Sequence, residues 1–211
     1  MNFTTRPVTE DNIEEAIDIG VRIFGEVDRA GLTAEFRAAA GLQPEKDSIE
    51  QEMNVVDPKY YIFCKDGVPA GFIGDHKVSG HEDDAWVGWG GILPEFRGGG
   101  LARILLQTGI NGAAVRPGVK TVRFYTTTEP RHKIAYDMYV RMGCFIEEPY
   151  RPGAKDASSM IVVFSQAAAP EYKRDEYLWK NCAYPIDCDK YIIPALNEEY
   201  GFNQGGQAMP P

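Results

Sequence analysis

"GWGGILPEFRGGGLARILL", residues 88–106, places six glycines in its first thirteen positions and then enters an apolar helical pattern. Glycine weakens strands and helices alike, by about 0.5–1 kcal/mol per interior position relative to alanine. A chain that concentrates this penalty just before a well-formed helix has a use for bare backbone there. A strand that runs through a glycine loop into a helix sets several free main-chain N–H groups and the positive helix end at one spot. Such a spot binds anions, phosphate above all. Glycines at 98, 99 and 100 let a ligand approach the backbone with no Cβ in the way.

Two common phosphate loops do not fit. A nucleoside-triphosphate loop needs Gly-x4-Gly-Lys-Ser/Thr, and no Lys-Ser or Lys-Thr follows these glycines. The dinucleotide pattern Gly-x-Gly-x-x-Gly, started at Gly98 and Gly100, requires a small residue where Arg103 stands.

Outward from this stretch the pattern is a mixed α/β fold. Phe3 to Arg6 reads as a short strand, and Asp11 is expected to cap a helix whose apolar face is Ile13, Ala16, Ile17, Val21 and Phe24. Helices are expected at Thr33–Ala40 and Glu45–Met53. "KYYIFCKDGVPAGFIGDHKV" is two strands joined at Asp66-Gly67, a hairpin signal. A polar loop, "SGHEDD", is expected before the strand "AWVGWGGIL". The next helix runs from Leu101, with Ile104, Leu105, Thr108, Gly112 and Val115 on its apolar face. "VKTVRFYTT" is a strand, "PRHKIAYDMYVRMG" a helix with Gly143 at its C-terminal end, and "CFIEEPY" and "SSMIVVFSQ" two closing strands. From residue 167 the pattern changes: residues 167–211 hold seven aromatics with little periodicity, so this extension is expected to pack on the domain at 1–166 or on a partner.

Composition narrows the function classes. At 211 residues the chain suits one domain with an appendage. A net charge of −9 argues against a nucleic-acid surface and is compatible with a cationic substrate. No apolar run approaches the roughly 18 residues of a membrane span. The N-terminus lacks a signal pattern, which points to a cytoplasmic protein. The four cysteines form no CxxC pair and read as free thiols, and three scattered histidines have no metal-ligand spacing, so no metal is expected.

The stretch also matches Arg/Gln-x-x-Gly-x-Gly/Ala through Arg97, Gly100 and Ala102, after a strand that ends Ile92-Leu93-Pro94. In this the chain resembles the GNAT superfamily of N-acetyltransferases. The later helix resembles that family's Asn-x-x-Ala-x-x-x-Tyr-x-x-x-Gly-Phe pattern through Ala135, Tyr139 and Gly143, with His132 in place of the asparagine and Cys144 in place of the phenylalanine. The likeness covers residues 1–166. It implies a mostly antiparallel central sheet with splayed central strands, flanked by helices, and acetyl-CoA as cosubstrate. The pyrophosphate would lie on Gly98, Gly99, Gly100, Leu101, Ala102 and Arg103, close to Arg97. The pantetheine arm would run along Gly91, Ile92 and Leu93, beside a bulge expected at Gly90 and Gly91, and His132, Ala135 and Tyr139 would complete the cofactor site.

Acetyl transfer to an amine requires a neutral nitrogen, a stabilised oxyanion and a protonated leaving thiolate. The resemblance places the Ile92 amide on the thioester carbonyl and makes Tyr139 the general acid. Many relatives carry a glutamate about six residues before the proline; here that position is Gly88. Asp84 and His76 are the substitutes named for the base, with Glu82, Asp83 and Asp75 close by. The function implied is transfer of an acetyl group to a primary amine of a small molecule or peptide. The alternative is a non-catalytic acyl-CoA sensor or scaffold, and the aromatic extension is compatible with a homodimer.

Overall fold

The computed structural model describes residues 2–43, 45–47, 54–127, 130–152, 161–171 and 188–190. They fall into two compact units, Met1–Val119 and Lys120–Pro211.

The first unit contains β1 (Phe3–Pro7), α1 (Ile13–Phe24), α2 (Arg29–Ala39), β2 (Val55–Lys65), β3 (Val68–Val78), β4 (His81–Ile92) and α3 (Leu101–Ala114). Its strands pair antiparallel in the order β1-β2-β3-β4. The β2–β3 hairpin turns at Asp66 (φ 49°) and Gly67 (φ 82°), two left-handed residues in succession, as an Asp-Gly turn of the primed type requires. The cap of the first helical segment is made by Thr9 and Asn12 rather than by Asp11: the Thr9 amide donates to Asn12 Oδ1 at 2.8 Å. The expected "SGHEDD" loop is in fact a tight turn at Ser79 and Gly80. Val78 pairs directly with His81, and burial of Asp84 and Ala85 carries the strand through the acidic residues.

Two apolar faces make the core. α1 and α2 cover one face of the sheet, where Ile13, Ala16, Ile17, Leu32 and Phe36 meet Tyr60, Ile62 and Phe72. Gly20 lets α2 come close; a Cβ there would sit 3.0 Å from Leu32 Cδ1. On α3 the buried residues are Leu101, Leu105, Leu106, Gly109, Ile110 and Ala113. This face is rotated from the expected one, leaving Ile104 and Val115 exposed. The reason is Gly109, whose missing side chain admits Ile73 and Val87 of the sheet. Of the expected helix Glu45–Met53, residues 45–47 are helical and the remainder lies outside the described residues.

The second unit contains β5 (Thr121–Thr127), α4 (Lys133–Arg141), β6 (Phe145–Pro152), β7 (Ile161–Ala167) and a short β8 (Cys188–Lys190). The strand order is β5-β7-β6-β8, again antiparallel. Phe124 stacks on Phe164 at 5.8 Å, and Tyr136 and Tyr139 of α4 meet Phe164 edge-on. Gly143 (φ 72°) ends this helical segment in the left-handed conformation, as its position implied. Antiparallel sheet with covering helices is the mixed α/β class expected. Cys64 and Cys144 are buried free thiols, and Cys182 lies outside the described residues, as does most of the 167–211 extension. Among the described residues no helix is long and apolar enough to cross a membrane.

Candidate active site

Strand β4, with the loop and helix after it, brings together most of the residues singled out from the sequence. Gly91 and Ile92 end the strand, Leu93 follows it, Arg97 to Gly100 form the loop, and Leu101, Ala102 and Arg103 are the first turn of α3. Gly98, Gly99 and Gly100 have φ of 95°, 58° and 81°, three left-handed residues in a row that only glycine adopts without strain. All three are exposed, as are Ala102 and Arg103. The loop is held by Arg97 Nε, which donates to Ile92 O at 3.2 Å, and by the Arg103 amide, which donates to Gly100 O at 3.1 Å.

At the end of β4 the Leu93 amide donates to Ala70 O at 2.9 Å. In an antiparallel ladder successive amides alternate in direction. The Ile92 amide therefore points away from β3.

The irregularity in β4 lies elsewhere than expected. Gly90, Gly91 and Ile92 are in register with Ile73, Phe72 and Gly71, and the bulge sits at Gly88 and Trp89, opposite Gly74. Its cause is Tyr60. The ring leaves β2 and lies across β3 at Gly74, where a Cβ would be 2.1 Å from Tyr60 Cε1. Its hydroxyl arrives 2.7 Å from where a Gly88 Cβ would stand. There it accepts the Trp89 amide at 3.3 Å and donates to Glu35 Oε2 of α2. Trp89 Nε1 donates to the other carboxylate oxygen, Glu35 Oε1, at 2.9 Å. Burial pushes the Glu35 carboxyl above the ordinary glutamate value, against the pull of these two hydrogen bonds.

Glu35 is the residue that sequence reasoning missed. The signal was present: Leu32, Glu35, Phe36 and Ala39 share a helix face at i, i+3, i+4 and i+7, so the acid occupies a position in an apolar stripe.

His76 and Asp84 are both buried, at 3% and 6% exposure. Burial, and then the nearby Arg116 cation, push the His76 imidazole down to about 3. Its Nδ1 comes 3.4 Å from the same empty Cβ position at Gly88. Asp75 belongs to a structural network: its carboxylate pairs with Arg116 Nε, and Arg116 Nη1 donates to Asp57 O at 2.8 Å and Oδ2 at 3.0 Å. Arg116 thus ties the end of α3 to β2 and β3.

In the second unit Tyr139 packs edge-on against Phe124 and Phe164, and burial pushes its phenol up to about 12, with the Cys144 thiol adding to the shift. His132 Nδ1 and Thr127 Oγ1 are hydrogen-bonded at 2.6 Å, and Ala135 is half-buried on the following turn. Lys133 pairs with Asp137 on the surface of α4.

A family model described as "Acetyltransferase (GNAT) family" matches residues 30–144. By sequence alone, no curated protein matches. Solved structures do. A GNAT-family protein from Desulfovibrio desulfuricans superposes with a TM-score of 0.62 at 13% identity, over 80% of this chain and 100% of its own. The PaiA N-acetyltransferase of Thermoplasma acidophilum, solved in complex with coenzyme A, gives 0.52 at 16%, over 77% and 98%. A chimera built on the spermidine N-acetyltransferase of Vibrio cholerae gives 0.58 at 10%, over 80% and 96%. At these identities the likeness is one of fold.

Gly74→Ala is expected to lower unfolding free energy by about 2 kcal/mol or more, because the Tyr60 ring has no room to yield; urea denaturation checks this. A second expectation concerns acid. Between the ordinary histidine value of 6.5 and about 3, the unfolded chain carries a proton on His76 that the native chain does not. Stability from this group is therefore lost as pH falls through that window, by up to about 1.4 kcal/mol per pH unit. The denaturant midpoint of His76→Gln should accordingly fall less steeply with pH than that of the wild type.

Proposed function

The chain belongs to the GNAT acetyltransferase family, and from that premise we propose that it moves an acetyl group from acetyl-CoA to a primary amine of a small molecule or peptide, by direct attack within a ternary complex. The family uses acetyl-CoA as donor. The observation that carries the reading for this chain is the run of left-handed glycines at 98–100 leading into α3. Backbone amides so exposed, at the positive end of a helix of fourteen residues, suit a diphosphate. In this reading Arg97 and Arg103 add charge for the pyrophosphate, and the pantetheine arm follows Gly91, Ile92 and Leu93. His132, Ala135 and Tyr139 are the further cofactor residues of this reading. No metal takes part, and the protein works in the cytoplasm.

The chemistry follows from those roles. The Ile92 amide, turned away from β3, donates to the thioester oxygen as charge develops on it. The amine nitrogen forms its bond to the carbonyl carbon, the C–S bond breaks, and the second nitrogen proton ends on sulfur. Tyr139 is the proton donor toward the departing thiolate. The phenol, pushed up to about 12, is protonated at the start of each turnover; it gives its proton to sulfur and takes in its place the one that the nitrogen loses. A chain with net charge −9 also favours the approach of a cationic acceptor.

The test is release of free thiol from acetyl-CoA in the presence of spermidine, ethylamine, benzylamine and a peptide with a free N-terminal alanine. Release above the hydrolysis background with at least one of them is expected. Tight acetyl-CoA binding without release from any would replace the enzyme by an acyl-CoA sensor. Tyr139→Phe should lower kcat about 100-fold with acetyl-CoA affinity nearly unchanged, as comparison of turnover with calorimetric binding would reveal.

A further inference from the structure

Three of the five positions from Gly88 to Ile92 are glycine, and Gly88 to Gly91 are all half-buried. Along the sequence such a run promises room for an acyl group larger than acetyl. The structure fills that room. A Cβ at Gly88 would stand 2.7 Å from Tyr60 Oη, one at Gly90 would run into Ile73 Cδ1, and one at Gly91 would stand 2.6 Å from Ile23 Cγ2. Each missing side chain is replaced by one that reaches over from a neighbouring element.

Gly91 is the position that bears on the donor. Its Cα is two bonds from the Ile92 nitrogen, whose amide points away from β3 and, in the acetyltransferase reading, holds the thioester carbonyl. Side chains alternate between the two faces of a strand. Gly90 and Ile92 share the face toward α3, since the Ile73 side chain that takes the Gly90 place also enters the gap at Gly109 of α3. On that face the Ile92 side chain itself adjoins the amide, at 5% exposure. On the opposite face the place beside the amide is the one over Gly91, and Ile23 of α1 holds it.

This apolar wall is pinned. Isoleucine in a helix keeps essentially one χ1 rotamer, because it branches at Cβ. The residues on either side of it in the last turn of α1 are tied to the sheet or to the segment that follows β4. Arg22 pairs with Glu95, while the Phe24 ring meets Trp89 edge-on at 5.0 Å and Phe72 at 6.0 Å. The turn closes with the Gly25 amide, which donates to Val21 O at 2.8 Å. Ile23 cannot swing off the strand without breaking these contacts.

We propose that Ile23 sets the acyl length of the donor: the further carbons of a propionyl or butyryl group would need the place over Gly91 that Ile23 holds. The donor class selected is the two-carbon acyl thioester. The bare backbone of β4 does not impose this limit; a side chain carried on α1 does. The proposal rests on the acetyltransferase reading for the position of the thioester.

Three substitutions at one position test it. Ile23→Ala removes three carbons and opens the place over Gly91. Ile23→Leu keeps the volume but shifts the branch off Cβ, so it removes the methyl that fills that place. Ile23→Val keeps the methyl. In a closed apolar pocket each surplus methylene costs about 10-fold in kcat/KM, so butyryl-CoA should fall about 100-fold below acetyl-CoA in the wild type and in Ile23→Val. The gap should narrow to about 10-fold or less in Ile23→Ala and part of the way in Ile23→Leu, which decides the matter should Ile23→Ala not fold. Ile17→Ala, a cavity earlier on the same helix, should keep the wild-type ratio. Calorimetry with the same esters should give the same order without turnover. Equal use or equal binding of butyryl-CoA and acetyl-CoA by the wild type would overturn the proposal. So would a ratio that stays fixed in Ile23→Ala and Ile23→Leu, or one that moves as far in Ile17→Ala. If acetyl-CoA releases no thiol with any amine, the acetyltransferase reading falls and the binding ratios alone decide. Unequal affinities that converge in Ile23→Ala then uphold the wall; equal affinities, or no binding, overturn it.

Discussion

While the Tyr60 ring lies between α2 and β4, no side chain can exist at Gly74 or Gly88. That exclusion arranges much of the first unit. It forces two adjacent strands to be bare where the ring crosses, and it sets two residues of β4 against one of β3. The bulge then turns Trp89 toward α2, where its indole meets Phe24 edge-on at 5.0 Å and its Nε1 meets Glu35. Downstream, β4 regains its register with β3 for three residues and ends with the Ile92 amide turned outward. The bulge in β4 and the course of the strand beyond it are thus set by a single phenol from another strand.

Two buried acids in the same unit show how differently a carboxylate can be used. Asp75 sits against Arg116, a cation as buried as itself, which also grips Asp57. Removing either partner would strand a charge, and the arrangement does nothing but join α3 to the sheet. Among the described residues the hydrogen-bond partners of Glu35 are a phenol and an indole. A fold that wanted rigidity alone at that point would lose nothing by an uncharged residue.

Much of this was legible in the chain. The Asp66-Gly67 hairpin, the helix that starts at Leu101 and the end of the α4 segment at Gly143 follow from local backbone preferences, which act over a few residues. The glycines at 98–100, whose left-handed backbone has an equally local reason, could be picked out in the same way. The failures are all long-range. Gly88 read only as a missing carboxylate on β4, because the ring that fills its space comes from residue 60 and the acid bonded to that ring from residue 35. Likewise the buried face of α3 was misplaced because Gly109, which looks like a weak point in a helix, is where Ile73 enters. The strand through Glu82 to Asp84 was hidden for the same kind of reason: its polar residues pair with a neighbour that the local pattern does not mention. Composition could not separate a solvated acid from a buried one.

Burial acts in opposite directions on His76, which lies beside Gly88, and on Glu35, which holds the phenol there. Removing water disfavours whichever form is charged, so it raises a carboxyl and lowers an imidazole. His76, the group that free amino acid chemistry would choose as base near neutrality, is driven to about 3 and becomes a poor proton acceptor. Glu35, too weak a base when exposed to water, is driven the other way by the same apolar surroundings. A carboxylate beside solvent on β4 would keep an ordinary affinity for protons. Carried on α2 and bonded to the Tyr60 hydroxyl and the Trp89 indole, it is raised by the packing that stabilises the unit. The acid in this position and the glycine at 88 are therefore two halves of one arrangement, since a side chain on the strand would displace the phenol that the acid holds.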